Sequence, residues 1–336
     1  MVGHSFIAKA GRAGIVGGTV LAAIVTVLGV SPQSQTLQEE FARLARGIDG
    51  RVGVCAAGSA SLSCVNGEQR FPLQSVMKLL VGLAVMDAVD HRRWRLDDVV
   101  IIRKQDLSVA VQPLAKLVTD NGFRTTVDDL VRRAIVDSDS AATDFLVGRL
   151  GGPRAVQSVL DRFGVAGVRF DRDERHLQTE TAGLKWRPEY VDSGLLDRAY
   201  AAVPEAQRDA AFQAYRADSR DTATPTGMVS LLRSLAEGKL VSAPLTRRLL
   251  EIMAQTVTFP DRLKAGVSGG WAVAHKTGTS GTWRGVTAAT NDVGILTSPR
   301  GDLVSVVVFI ADSRASAADR ARLMAHVAQA TIESYH

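Results

Sequence analysis

Strand-forming sequence stands at both ends of this chain with a long helical block between, and that order limits the folds open to it. Arg51 to Ala57 and Ser61 to Val65 are short strand-like runs separated by Gly58-Ser59-Ala60. From Pro72 to about Met253 apolar residues recur mostly at helical spacing, and Gly151-Gly152-Pro153 ends one helix and starts the next. β-rich sequence returns at Trp271 to Thr279, Val286 to Leu296 and Leu303 to Ile310. Amphipathic helices close both ends: Thr36 to Arg46 with Leu37, Phe41 and Leu44, and Ser316 to Tyr335 with Leu323, Val327, Ala330 and Ile332. The arrangement predicts an α/β protein of two lobes. One is an antiparallel sheet flanked by the terminal helices, about residues 36–70 and 259–336; the other is all-helical, about 71–258. Both belong to a single domain, 31–336.

The segment before that domain reads as an export signal. Lys9 and Arg12 precede a stretch without charge from Ala13 to Gln38, whose apolar core is Ile15 to Val30. Residues 1–30 are therefore expected to be a signal peptide, or an uncleaved inner-membrane anchor, since the run is at the lower limit for spanning a bilayer. Either way the catalytic part is exported, to the periplasm or beyond. Cys55 and Cys64 fit that compartment, because opposed positions of a hairpin bring them within bridging distance. Two buried free thiols are the other reading. Hydrophobic residues at 46% and charged residues at 22% describe an ordinary core. The net charge of +5 is spread along the chain and aromatics are only 5%, so no stacking platform supports nucleic-acid binding. No His/Cys/Asp cluster has ligand spacing, so neither a metal nor another cofactor is expected.

Chemistry concentrates near Phe71-Pro-Leu-Gln-Ser-Val-Met-Lys-Leu-Leu80. Pro72 stops a preceding strand, and the following apolar run puts Ser75 at a helix mouth with Lys78 one turn on. A serine hydroxyl needs a neighbouring base to become a nucleophile, and a partly buried lysine can share that task. Free backbone N–H groups at the helix start suit a developing oxyanion. Alone, this spacing recurs by chance in a chain of such length. Three further stretches change that: Val136-Asp-Ser-Asp-Ser-Ala-Ala-Thr143, Phe170-Asp-Arg-Asp-Glu-Arg-His-Leu-Gln178 and His275-Lys-Thr-Gly-Thr-Ser280.

In this order and spacing the motifs closely resemble those of the class A serine β-lactamases, among the penicillin-recognising enzymes. The likeness runs from about Leu37 to Tyr335 and includes Gly-Gly-Pro at 151–153 and Thr-Asn-Asp-Val-Gly-Ile-Leu at 290–296. It implies the two-lobed fold shared with the DD-peptidases and hydrolysis of a β-lactam through a serine acyl-enzyme. Ser75 would be the nucleophile, Lys78 its hydrogen-bonded partner and a candidate base, and Ser138 the proton donor to the leaving nitrogen. Glu174 would activate the deacylating water. Lys276 and Thr277 would bind the substrate's carboxylate, with Arg284 assisting, and the N–H groups of Ser75 and Thr279 would form the oxyanion hole. A small-molecule β-lactam is the partner implied, and nothing indicates an oligomer. A cell-wall DD-peptidase or esterase, and a slowly deacylating receptor, are the alternatives; Glu174 argues against the first, because a serine ester persists unless water is activated beside it.

The chain departs from the family pattern in several places. Ser140 and Gln178 replace asparagines, which puts side-chain recognition and water positioning in question. No aromatic gatekeeper appears in Ser108 to Leu114, and Gln74 precedes the nucleophile. Arg172 and Asp221 match the arginine–aspartate pair that closes the family's Ω-loop. The interval between Gln178 and Asp221 is far longer than usual, and the insertion at 179–220 reads as helical, with a cap at Asp192 or Ser193 and a second start at Pro204. It is either a packed surface insertion or a lid over Glu174. His176 and His275 show no aspartate partner at readable spacing and are expected on the surface or a strand face.

Overall fold

Leu303–Ser313, the last strand of the chain, carries the run Val-Ser-Val-Val-Val-Phe-Ile-Ala, nearly unbroken by polar residues. A strand reads this way when both faces of its sheet are covered. In the computed structural model, which describes residues 32–335, both faces are covered. The expected signal or anchor at 1–30 lies outside the described residues.

In chain order the first elements are α1 (Pro32–Arg46), β1 (Arg51–Ala57), β2 (Leu62–Val65), β3 (Phe71–Pro72) and α2 (Met77–Asp90). Then come β4 (Val99–Ile102), β5 (Phe123–Thr126), α3 (Val127–Val136), α4 (Ser140–Leu150), α5 (Pro153–Arg162) and α6 (Glu174–Thr181). α7 (Ser193–Ala202), α8 (Glu205–Ala217), β6 (Thr222–Ala223), α9 (Pro225–Ala236) and α10 (Ala243–Ala254) follow. β7 (Ala272–Thr279), β8 (Thr282–Trp283), β9 (Val286–Thr297), β10 (Leu303–Ser313) and α11 (Ala317–Ser334) complete the chain.

The main sheet is antiparallel in the order β2-β1-β10-β9-β7, with β8 added on β9. The early hairpin thus joins the late strands, Arg51 opposite Ala311 through Ala57 opposite Ser305. Alternation then sorts the side chains of β10. Val306, Val308 and Ile310 pack under α1 and α11 with Phe41, Leu44, Leu323, Met324 and Val327. Val307, Phe309 and Ala311 face the helical lobe and share its core. Cys55 pairs with Cys64 across the β1–β2 ladder, and the two form a disulfide. The α11 start is capped by Ser316, whose side chain accepts from the Asp319 N–H.

The helical lobe is built around α2, where every residue from Met77 to Ala88 is buried, as expected of a helix apolar on all sides. The lobe is not wholly helical. Val99–Ile102 and Phe123–Thr126 pair as a small separate sheet, and β3 pairs with β6. The sequence hides the first pair because its strands are four residues long and half-exposed, with Val99 and Ile101 facing solvent.

Candidate active site

The turn that carries Ser75 is held by the sheet. Gln74–Val76 is a short 3-10 turn leading into α2, so Ser75 stands at the helix mouth and Lys78 in the first helical turn. Gly278 of β7 lies directly against it: a Cβ there would come within 2.6 Å of the Leu73 carbonyl oxygen and 3.2 Å of the Ser75 nitrogen. Only glycine permits that approach, which is the physical reason for the third residue of Lys276-Thr-Gly. Asn291 of β9 adds two clamps, donating from Nδ2 to the carbonyls of Pro72 (2.8 Å) and Leu73 (2.9 Å). Gln74 (φ 47°) and Ser138 (φ 58°) occupy the left-handed region. Strained backbone of this kind persists where the surroundings over-determine it, and here both positions border Ser75 or Lys78.

Lys78 is fully buried and organises the polar floor. Its ammonium donates to the Ser138 carbonyl (2.5 Å), to Ser140 Oγ (3.2 Å) and to Ser138 Oγ (3.4 Å), and lies 3.4 Å from Glu174 Oε1. Lys276 donates to the same Ser138 Oγ at 3.1 Å and to the Thr277 carbonyl at 2.9 Å. The Ser138 hydroxyl therefore accepts from the amino groups of two lysines, which leaves its own proton free to be donated. Burial, reinforced by the charge of Lys78, holds Lys276 well below an ordinary lysine pKa. A substrate carboxylate arriving there would favour its charged form.

Glu174 begins α6, where Asp173 caps the helix and the buried Asp144 carboxylate of α4 accepts the Glu174 N–H at 2.8 Å. Its Oε2 accepts from Gln178 Nε2 at 3.1 Å and from Ser140 Oγ at 3.4 Å. Gln178 thus reaches Glu174 despite its extra methylene. The neck of the loop is pinned by Arg172, whose Nε lies 2.7 Å from Asp221 Oδ2 and whose Nη1 lies 2.7 Å from Glu180. Asp221 Oδ1 also accepts from the N–H groups of Asp171 (2.7 Å) and Arg172 (3.0 Å).

The insertion packs as two helices. Asp192 caps α7 by accepting from Leu195 N–H, and Pro204 precedes α8. Phe212 and Tyr215 are buried, Arg216 pairs with Asp312 of β10 at 2.5 Å, and Trp283 Nε1 donates to Asp209. Between α8 and the β7–β8 turn lies a cavity of about 390 Å³, reaching Gln74 and Gln178 at the edge of the site.

Three of the sequence expectations change here. Lys78, expected to hydrogen-bond Ser75, donates instead to Ser138 and Ser140. Arg284 is turned to the insertion, 2.7 Å from Glu205 and 2.8 Å from Asp209. The guanidinium beside β7 is that of Arg262, which the sequence reading did not single out. It donates to Thr279 Oγ1 (2.6 Å) and to the carbonyl of Asn291 (2.9 Å), stacks on Phe259, and is lowered by burial to about 10. The histidines keep their expected places, His275 on the face of β7 and His176 exposed, but each has an aspartate partner: His275 Nδ1 lies 2.9 Å from Asp292 Oδ1 across the β7–β9 ladder, and His176 Nδ1 lies 2.5 Å from Asp173. Thr277 Oγ1 lies 2.6 Å from Thr258 Oγ1 on the far wall.

Comparison with known proteins places this geometry. A model of the β-lactamase enzyme family matches residues 36–335. The extended-spectrum β-lactamase PER-1 of Pseudomonas aeruginosa is 30% identical over 321 residues, covering 95% of this chain and 93% of that protein. The β-lactamase VEB-1 of the same organism is 27% identical, covering 94% of this chain and 96% of its own. Among solved structures, a β-lactamase from Chitinophaga pinensis aligns with a TM-score of 0.74 at 27% identity, covering 90% of this chain and all (100%) of that one. A reconstructed ancestral class A β-lactamase aligns at 0.70 with 29% identity, covering 89% and 99%.

Proposed function

The chain belongs to the β-lactamase enzyme family, as a class A serine β-lactamase that hydrolyses the β-lactam amide bond, and from that premise we propose the following roles for its residues. Ser75 Oγ loses its proton into the Lys78–Glu174 pair and attacks the lactam carbonyl. The N–H groups of Ser75 and Thr279 hold the oxyanion. The C–N bond breaks as Ser138 delivers its proton to the nitrogen and regains one from the pair through Lys78, and the ring opens to an ester on Ser75. Glu174, again ionised and aligned by Gln178 and Ser140, takes a proton from water, which attacks the ester, and that proton passes to the departing Ser75 Oγ. Lys276, Thr277 and Arg262 receive the substrate's carboxylate, the two cations by charge and the hydroxyl by a hydrogen bond. The catalytic domain works as a monomer in the periplasm, in keeping with the Cys55–Cys64 bridge.

The observation that supports these roles most directly is the convergence on the Ser138 hydroxyl, 3.4 Å from Lys78 Nζ and 3.1 Å from Lys276 Nζ, with Glu174 3.4 Å from Lys78. The test is to mix purified protein with a chromogenic cephalosporin, follow turnover, and map the transient covalent adduct by mass. Turnover with the adduct on Ser75 is expected. A stable adduct without turnover, or one on another residue, would sink the assignment.

Ser140 gives a second expectation. Its hydroxyl is committed to Lys78 and Glu174, whereas an asparagine amide could also reach the substrate's side-chain carbonyl. One added neutral hydrogen bond corresponds to about three- to tenfold, so Ser140→Asn should raise kcat/KM by that factor for β-lactams with an amide side chain. Unchanged kcat/KM would show that Ser140 does not limit acylation.

A further inference from the structure

The insertion does more than pack on the sheet, because one of its side chains is wired to Glu174. Tyr215 of α8 is buried, and its hydroxyl accepts a hydrogen bond from Gln74 Nε2. The other end of the Gln74 amide, Oε1, accepts from Gln178 Nε2 at 3.2 Å. The same Gln178 nitrogen donates to Glu174 Oε2 at 3.1 Å. The donor and acceptor roles fit in only one order along this path. A glutamine amide has one accepting and one donating end, so a tyrosine oxygen that takes the Nε2 end of Gln74 leaves the Oε1 end facing Gln178. That in turn requires Gln178 to present its NH₂, which has one proton for Gln74 and one for the carboxylate. Were Gln74 to flip, two NH₂ groups would face each other and the Gln178–Gln74 hydrogen bond that steadies Gln178 would be lost.

Gln74 is held in place for this task. Its backbone has φ 47°, its side chain is buried, and it immediately precedes the nucleophile. Tyr215 keeps its proton throughout the working range, because burial pushes it far above an ordinary tyrosine. The order is fixed from the other end, because the Glu174 carboxylate accepts from Gln178 Nε2, which then meets Gln74 Oε1 and leaves Gln74 Nε2 for the tyrosine oxygen.

We propose that Tyr215 is a positioning residue for deacylation, acting through Gln74 and Gln178 to set the carboxylate of Glu174 toward the hydrolytic water. The inference rests on the reading of Glu174 as the deacylation base. It gives the insertion a definite role in the rate at which the acyl-enzyme is released, distinct from that of a lid. Because the path ends on Glu174 Oε2, while Oε1 is the oxygen that faces Lys78, its loss affects the second half of the reaction.

Tyr215→Phe removes only the accepting oxygen and keeps the ring. With deacylation slowed, kcat and KM are expected to fall together by on the order of tenfold while kcat/KM, which reports acylation, stays within twofold. Acyl-enzyme should accumulate in the steady state by intact mass. Gln74→Ala, cutting the middle of the path, should also lower kcat, and the double variant should lose no more kcat than Gln74→Ala alone, as two cuts in one path do. A merely structural role would lower Tm or kcat/KM without that split. If Tyr215→Phe leaves kcat unchanged, or if the two losses multiply, the relay is overturned. Glu174→Gln, run alongside, separates the two readings. If it turns substrate over as the unmutated enzyme does, the base assignment itself fails and the relay with it; if it does not while Tyr215→Phe behaves as the unmutated enzyme, only the relay fails.

Discussion

Glu174→Gln should convert the enzyme into a stoichiometric trap, with Ser75 acylated and turnover reduced on the order of a thousandfold, the range that removal of a general base produces. The geometry makes this a selective loss. Glu174 is buried, with Oε2 accepting from Gln178 and Ser140, while Oε1 accepts no hydrogen bond from the described residues and faces Lys78 at 3.4 Å. Glutamine keeps the volume and the contacts to Oε2 but cannot take a proton from water. Intact mass after mixing with a penicillin should show full adduct persisting long after the unmutated enzyme has returned to its free mass. Ser75→Ala should show no adduct. If Glu174→Gln instead fails to acylate, Glu174 serves the first step as well, and the burden of deprotonating Ser75 does not rest on Lys78 alone.

What the sequence made legible follows the range of the forces involved. Ser75 and Lys78 are one helical turn apart, so their relation is local, as is the cap at Asp192. The strand–helix–strand order led to the two lobes because two early strands must find partners among the late ones. Cys55 and Cys64 share a hairpin, and a small shift in register would have separated them. The features missed are all set by tertiary contacts. Arg262 reaches Thr279 because the loop after α10 folds back on β7; Asp292 meets His275 through the β7–β9 register; Tyr215 meets Gln74 across 141 positions. Arg284 pairs with Glu205 and Asp209 of the insertion, and Tyr215 of the insertion stands behind Gln74. No local pattern encodes either effect.

Asp144→Ala should cost about 3–5 kcal/mol of stability and slow deacylation as well, because this carboxylate joins the helical lobe to the start of α6. It is buried and accepts from Ser108 Oγ (2.5 Å), from the N–H groups of Glu174 (2.8 Å) and Arg175 (3.1 Å), and lies 3.4 Å from Arg175 Nε. Truncation strands those donors at the N-terminus of the helix that carries the base, where a negative charge is also favoured by the helix dipole. The same site gives a pH signature. Burial, then the neighbouring charges of Asp173 and Glu174, push Asp144 up to about 7. The unfolded chain gives up this proton near the ordinary aspartate value of 3.8, so between those limits the folded protein binds more protons than the unfolded. Stability from this group must therefore fall as pH rises, by about 1.4 kcal/mol per unit, and level off above about 7. Asp144→Asn cannot ionise and should remove that slope while leaving the fold intact. Urea unfolding of both proteins across this pH range measures it directly. An equal slope in the two would assign the titration to another carboxyl and overturn the role given to Asp144.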